Sequence, residues 1–506
     1  MFISNKVFPF SNYMNNFLRL TRCMKHFLIL LLLCLTTSIH AEGIVCEVDR
    51  PSIVERVVNK SNPSVFATWM HEILNEPIPS NPWEWSYFKS VVSRRDLYWQ
   101  AGFRANVGFQ KLTSEVPKMV LRGDDEKVLR TLDERNQIQA LNPDFLFIAG
   151  LYYYGARTSF YPEDWPYWLR DEAGNMIQDD GWAEMLIDYT LPGAEAHFVE
   201  MAVSVAKCGI FDGIFLDLWG EVAEKIPGND NTAHLYHGNR VEALVSLVKR
   251  IREAVGDDFL IIVNSGTRKI PRSAPYVNGA FIETSFGETG KLRERILQLE
   301  NALVWNEENF RYPQVNCVEV SRIPTEPWDS PANQRWVRSV TSLTLTHSNG
   351  YVHIATVVDP DKRDNWYSFW DAPLGVPIGG AETKGVLYET PKGEIIDGIF
   401  IREFTGGYAV YNRSGTAQQV YLPEHASGWH SGVKNKQWHM LGDMDGEIYI
   451  KSVATLADVN ADGIVNILDL VLVANAFNAT EPDLNGDGVV NILDLVWVAN
   501  SIGNRK

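Results

Sequence analysis

Positive charge is what this chain has least of. Against 63 acidic residues stand 46 lysines and arginines, a formal net charge of -17. Nucleic-acid phosphates are repelled by such a surplus, so no nucleic-acid partner is expected, and neutral or basic substrates suit it better. Cysteine is scarce too, 5 in 506 residues. Only Cys46, Cys208 and Cys317 lie beyond the leader described below, an odd and sparse set that excludes a disulfide framework. Cys208 and Cys317 sit in apolar runs and read as buried thiols. There is no HExxH, no phosphate-binding GxxxxGK[ST] and no GxSxG, which leaves metalloprotease, nucleotide hydrolase and serine hydrolase without support.

Long apolar runs are also missing. The longest candidate, Phe27–Leu35, is too short to span a bilayer. It follows Lys25 and His26 and leads to a polar stretch ending in Ala41, the layout of a secretory signal peptide over residues 1–41. Met24 is the expected start, with Met1–Cys23 an over-extended frame. The run before Cys34 lacks the small residues of a lipoprotein signal, so secretion or a cell-surface location is expected, with no transmembrane segment in the mature chain.

What is abundant is apolar and aromatic. A hydrophobic fraction of 45% supports large cores, and the length suggests several domains. The 16 Trp and 19 Tyr serve either core packing or stacking against sugar rings, whose apolar faces match an aromatic plane.

Between residues 60 and 372 short apolar runs alternate with helical patterns. The strand candidates are Ser64–Met70, a second within Asp96–Phe109, then Asp144–Tyr154, Phe211–Trp219, Asp258–Gly266, Val277–Ser285, Pro313–Ser321 and Asn349–Ala355. Helical periodicity marks 126–142, 240–256, 291–304 and 334–346. Eight β-then-α units over roughly 300 residues predict a (β/α)8 TIM barrel, an α/β fold. A doubly wound sheet would carry a Gly-rich phosphate turn after its first strand, and none is present. Residues 385–453 switch to short alternating runs, read as a small antiparallel β domain.

The tail repeats itself. "DVNADGIVNILDLVLVAN" (458–475) and "DLNGDGVVNILDLVWVAN" (483–500) align at a 25-residue offset. Each places Asp, Asn, Asp at positions one, three and five, Gly at six, Asn at nine and Asp at twelve. Alternating oxygen donors around a turn-forming Gly suit Ca²⁺, a hard cation that takes six to eight oxygens.

In a barrel of this kind the reactive face lies at the C-terminal ends of the strands. Asp217 closes the fourth strand candidate and Glu283 nearly closes the sixth. Glycoside hydrolysis needs two carboxylates flanking the scissile bond, and these are the expected catalytic pair. Glu221 is a reserve acid further into the loop, and Asp188 and Asn264 are placed to hold sugar hydroxyls. Tyr153 and Trp219 are expected as substrate-binding aromatics. Glu319 and His353 also fall at strand ends, the side-chain direction of Glu319 left open. Asp212, before an Asp-Gly turn, reads as structural. No cofactor is expected for catalysis.

Two resemblances sharpen these readings. The repeat over residues 456–503, with Asp rather than Glu at position twelve and the "NILDL" helix start, resembles a type I dockerin. That likeness implies two Ca²⁺ sites, one from Asp458, Asn460, Asp462, Asn466 and Asp469 with the Ile464 carbonyl. The other comes from Asp483, Asn485, Asp487, Asn491 and Asp494 with the Val489 carbonyl. It also implies a cohesin partner, although Ile467–Leu468 and Ile492–Leu493 are more apolar than the small polar pairs usual at those positions. Upstream, "GIFDGIFLDLW" (209–219), "WLRDEAGNMI" (168–177), "LIDYTLPG" (186–193) and "DAPLGVPIG…DGIFIREFTGGYAVYN" (371–412) resemble the hypothetical glycosyl hydrolase family 15. That resemblance implies a barrel O-glycosyl hydrolase with a small β domain behind it, acting on an oligo- or polysaccharide. The acid-at-four, acid-at-six layout is similar to α-galactosidase-like barrels, and "DGIFLD" to polygalactosaminidase-type enzymes. Both favour an α-linked substrate, with Asp217 as nucleophile or base and Glu283 as acid. The rival expectation is a catalytically inactive glycan-binding barrel, or an assembly component docked to a cohesin.

Overall fold

The computed structural model describes residues 51–502, apart from 69–84, 100–107, 110–120, 123–124, 180–183, 229–230, 284–290, 324, 356–365, 452–456, 461–464 and 486–487. The leader reading, Met24, Cys34 and Cys46 lie outside the described residues, as do Asp462, Ile464 and Asp487.

Eight parallel strands form one sheet in chain order. They are β1 (Phe66–Thr68), β2 (Leu97–Trp99), β3 (Leu146–Gly150), β4 (Gly213–Leu216), β5 (Leu260–Asn264), β6 (Gly279–Ile282), β7 (Cys317–Ser321) and β8 (Tyr351–Ala355). A parallel bridge from Val65 to Val352 brings β8 back to β1 and closes the ring, with Val352 N donating to Ser64 O at 3.0 Å. All eight expected strands are present. Helices α1 (Ile53–Val58), α2 (Trp85–Val92), α3 (Asp125–Gln139), α4 (Pro192–Cys208), α5 (Arg240–Val255), α6 (Leu292–Asn309) and α7 (Pro331–His347) accompany the ring.

Local chemistry sets these elements. Asn239 caps α5 by accepting from Val241 and Glu242 N–H, and Gly256 at φ 77° ends it. Ser330 caps α7, with Pro331 at its first position. Between β5 and β6 the chain makes only a 3-10 turn, Ala274–Tyr276. Pro271 precedes that turn and Pro275 lies within it, and neither has a backbone N–H to give to an α-helical ladder.

Two apolar layers flank the strands. Inside the ring Phe66, Trp99, Ile148, Phe215, Ile262, Phe281, Cys317 and Tyr351 form one buried cluster, with Ile53 and Val57 of α1 joining it. Trp99 stacks on Phe215 at 4.7 Å and meets Phe281 edge-on at 5.1 Å. The interior is therefore a packed core and not a channel. Cys317 is a buried free thiol, as read from the sequence. Asp212 is fully buried between Arg56, 2.8 Å away, and Arg135, 3.1 Å away, and accepts from Phe147 N–H. Its role is structural, as an ion-pair hub rather than a turn former.

A second, antiparallel sheet follows, with strands β9 (Leu387–Glu389), β10 (Ile395–Phe404), β11 (Gly407–Asn412), β12 (Gln418–Gly428), β13 (Lys436–Leu441) and β14 (Asp445–Lys451) in the order β9-β10-β11-β14-β12-β13. It packs on α7. Arg338 of α7 reaches Asp445 at 2.7 Å and the Gly446 carbonyl at 2.8 Å. A Cβ on Gly446 would stand 2.2 Å from Ser342 Oγ, so the helix and strand approach as closely as glycine allows. This explains why α7 buries Ser339, Thr341, Ser342, Thr344 and Thr346: small side chains suit a helix covered on two sides. The chain ends in two helices, α8 (Ile467–Asn475) and α9 (Ile492–Ser501), around a small core of Ala457, Val473, Leu484, Val490 and Val498.

Candidate active site

Strand parity builds the site. Side chains alternate in direction, so residues two beyond an inward one also face inward. Phe215, Ile262, Phe281, Cys317 and Tyr351 belong to the interior cluster. Two residues on stand Asp217, Asn264, Glu283, Glu319 and His353. Five adjacent strands thus place their polar residues in one layer, above the apolar plug and at the C-terminal mouth. The register agrees, with Phe281 beside Cys317 and Glu319 beside His353.

The centre of this layer is Asn264. Its Nδ2 donates at 2.9 Å to Asp217 Oδ1 and at 2.9 Å to Glu283 Oε2. Its Oδ1 accepts from Gly266 N–H at 3.2 Å, which settles the orientation of the amide. The two carboxylate oxygens therefore lie less than twice the hydrogen-bond distance apart. Asp217 is half-buried and Glu283 is exposed. Burial raises the Asp217 carboxyl above its ordinary range, and the nearby Glu283 charge adds to this. The Asn264 amide and the Leu218 N–H oppose it by stabilising the charged form. Leu218 N donates to the same oxygen, Oδ1, at 2.8 Å. Among the described residues Oδ2 carries no hydrogen bond.

Glu319 and His353 complete the layer. Both are nearly buried. His353 bonds the Phe66 backbone, and burial lowers its pKa to about 3, so its ring is neutral at working pH. The sequence places both at strand ends without assigning either to the catalytic pair or to the sugar-binding residues. The signal was available in the two-residue step from Cys317 to Glu319 and from Tyr351 to His353, once the inward residues were known.

Four expected binding residues take other positions. Trp219 is fully buried; its Nε1–H donates to Ser273 Oγ at 3.1 Å, and its ring packs edge-on against Tyr153. It is a core residue and offers no face to a sugar. Tyr153 is also fully buried, and its hydroxyl donates to the Leu218 carbonyl at 2.9 Å. Glu221 accepts from Ser273 N at 2.7 Å and Arg272 N at 3.1 Å, capping the 3-10 turn instead of joining the acid pair. Asp188 is buried, holding Thr190 N at 3.1 Å and His237 Nδ1 at 2.6 Å, which ties two loops of the mouth together. The exposed aromatic beside them is Tyr152, 43% accessible.

In the tail, both copies of the repeat fold alike. Asp469 accepts from Asn460 N at 3.2 Å and Asn466 N at 2.8 Å. Asp494 accepts from Asn485 N at 3.2 Å and Asn491 N at 2.8 Å. Both carboxylates are fully buried at the third position of their helices. The loops before them carry Asp458, Asn460 and Asn466 in one copy and Asp483, Asn485 and Asn491 in the other, side chains with the oxygen atoms that Ca²⁺ takes. Among the described residues no group of three or more His, Cys, Asp or Glu is placed to hold a metal, and Asp462 and Asp487 lie outside them.

Residues 456–503 match the family model described as Dockerin type I domain. Dockerin type I domains bind calcium and engage cohesins, and proteins bearing them are typically extracellular or attached to the cell surface. A search of the curated proteins gives no match. Among solved structures the chain is similar to a noncanonic maltogenic α-amylase from Thermotoga neapolitana, at 9% identity and TM-score 0.44, covering 77% of this chain and 98% of that one. It is similar to a pullulanase from Anoxybacillus sp. LM18-11 at 10% identity and TM-score 0.45, covering 81% and 74%. An isomalto-dextranase from Arthrobacter globiformis T6 shares 12% identity and a TM-score of 0.44, covering 80% and 76%. Among the described residues no helix is long and apolar enough to cross a membrane.

Proposed function

We propose that this chain is an O-glycosyl hydrolase of the kind its resemblance to the hypothetical glycosyl hydrolase family 15 implies, acting on an oligo- or polysaccharide through Asp217 and Glu283. The observation that carries the reading is the Asn264 amide, which bonds both carboxylates at 2.9 Å. An amide with two hydrogens fits two acceptors and holds them in fixed relation without adding charge.

Asp217 is the nucleophile in this reading. Its Oδ1 takes both donors, leaving Oδ2 to attack the anomeric carbon. Glu283, exposed at the rim, gives its proton to the departing glycosidic oxygen as the C–O bond breaks. It then takes a proton from the water that releases the sugar from Asp217. The short span across Asn264 favours retention over inversion, since retaining pairs stand about 5–5.5 Å apart and inverting pairs about 6.5–9.5 Å. The tail, about 456–503, is proposed to hold two Ca²⁺ ions and to attach the enzyme to a cohesin-bearing partner outside the cell. The proposed units are a barrel over 60–372 and a β domain over 385–453.

A reducing-sugar screen on plant, marine and amino-sugar polysaccharides tests this, with the Asp217→Asn variant run alongside. Release by the parent and not by the variant is expected. Binding without release by both would replace the enzyme with a glycan-binding barrel.

A further inference from the structure

We propose that Tyr153 is a positioning residue for Asp217, acting through the Leu218 backbone; this rests on the reading of Asp217 as the nucleophile. The residue after Asp217 has a left-handed backbone, with Leu218 at φ 50°. That conformation is costly for any side-chain-bearing residue. The Leu218 side chain is 37% exposed, so burying it does not repay the cost. Backbone bonds do.

The peptide plane between Leu218 and Trp219 is clamped at both poles. Its carbonyl accepts from the Tyr153 hydroxyl at 2.9 Å, and its N–H donates to the Asn264 carbonyl at 2.7 Å. With that plane fixed, the preceding Leu218 N–H points back to Asp217 Oδ1 at 2.8 Å. Tyr153 cannot swing away. Its ring is fully buried and meets Tyr154, Tyr189 and Trp219 edge-on at 5.5, 5.3 and 5.5 Å. The hydroxyl is thus aimed by its cage at the carbonyl that holds the strained turn. Strain kept beside a reactive group by surrounding bonds is a mark of a pre-organised site.

Tyr153→Phe keeps the ring and removes the clamp. Losing the Leu218 N–H from Oδ1 removes a donor from the charged form, so the Asp217 protonation midpoint should rise. The midpoint is read from the pH dependence of carbodiimide-driven amidation at the Asp217 peptide, followed by mass spectrometry. Fragmentation localises the label within that peptide, and Glu221 in the same peptide serves as the internal control. This readout does not need turnover. In a turning-over enzyme kcat should fall about tenfold with KM nearly unchanged. Adding Leu218→Gly to Tyr153→Phe should restore the midpoint, because glycine takes a positive φ without the clamp.

Leu218→Val supplies an independent arm. A β-branched residue opposes the left-handed turn while Tyr153 stays intact, and the midpoint should rise again. An unmoved Asp217 midpoint in a folded Tyr153→Phe protein, or in Leu218→Val should Tyr153→Phe not fold, overturns the proposal. A midpoint that moves in a protein that hydrolyses no glycan sinks the hydrolase reading and leaves the clamp standing.

Discussion

Asn264 shows how one uncharged side chain can organise two acids. Its amide reaches Asp217 and Glu283, while its backbone carbonyl anchors Trp219. Asn264→Ala removes a donor that lowers the Asp217 pKa. A carboxylate that must be ionised to attack loses activity as pH falls through its pKa. The acidic limb of the rate profile should therefore start above the ordinary carboxylate range in the parent and move higher still in Asn264→Ala. An unmoved limb would detach Asn264 from Asp217. At this scale the sequence was legible in part. Asp217, Asn264 and Glu283 announce themselves as polar residues ending apolar runs. Trp219 does not reveal that it points away from the mouth, because its direction is set by the Leu218 turn and no periodicity encodes that. Glu221 and Asp188 looked like site acids, and only loop geometry shows them spent on backbone N–H groups.

Among the elements, the strands were the most readable, since a buried parallel strand is a short continuous apolar run. Helix α4 was not singled out, although Ala194, Phe198, Met201 and Val205 of its buried face recur at helical spacing. Close strand contact is where the elements are least tolerant. A Cβ on Gly279 would meet the Val315 carbonyl at 1.7 Å. Gly279→Ala must push β6 from β7, at a cost of about 3 kcal/mol by the usual scale of overpacking, and a denaturant midpoint measures it. Asp212→Asn leaves Arg56 and Arg135 buried without their common counter-charge. Loss of about 3–5 kcal/mol is expected from that substitution, with the far end of the barrel keeping its mouth residues in place.

Over the whole molecule, the stable barrel contrasts with a tail of few core residues. Among the described residues five buried apolar side chains, with a few partly buried ones, form the core around α8 and α9. A core that small does not support a fold without a staple, and bound metal is the usual one. A chelator should remove a separate, low-enthalpy calorimetric transition and leave the main one unmoved; a single transition insensitive to chelator would contradict calcium as the staple. The repeat that encodes this tail was the clearest signal in the sequence, because ligand spacing in an ion-binding loop is local. The packing of the second sheet on α7 was not legible. It depends on Arg338 meeting Asp445 across 107 residues of chain.

Asp217 and Glu283 are proposed to work as one unit on a glycosidic bond. Sugar release should be compared, on one substrate, for Asp217→Asn, Glu283→Gln and the double variant. Residues that act together are strongly non-additive. Each single change should cost roughly a thousandfold or more, and the double little beyond the larger of the two. A Glu283→Gln protein that keeps most of its activity, or losses that simply multiply, would show that the two carboxylates do not share a reaction.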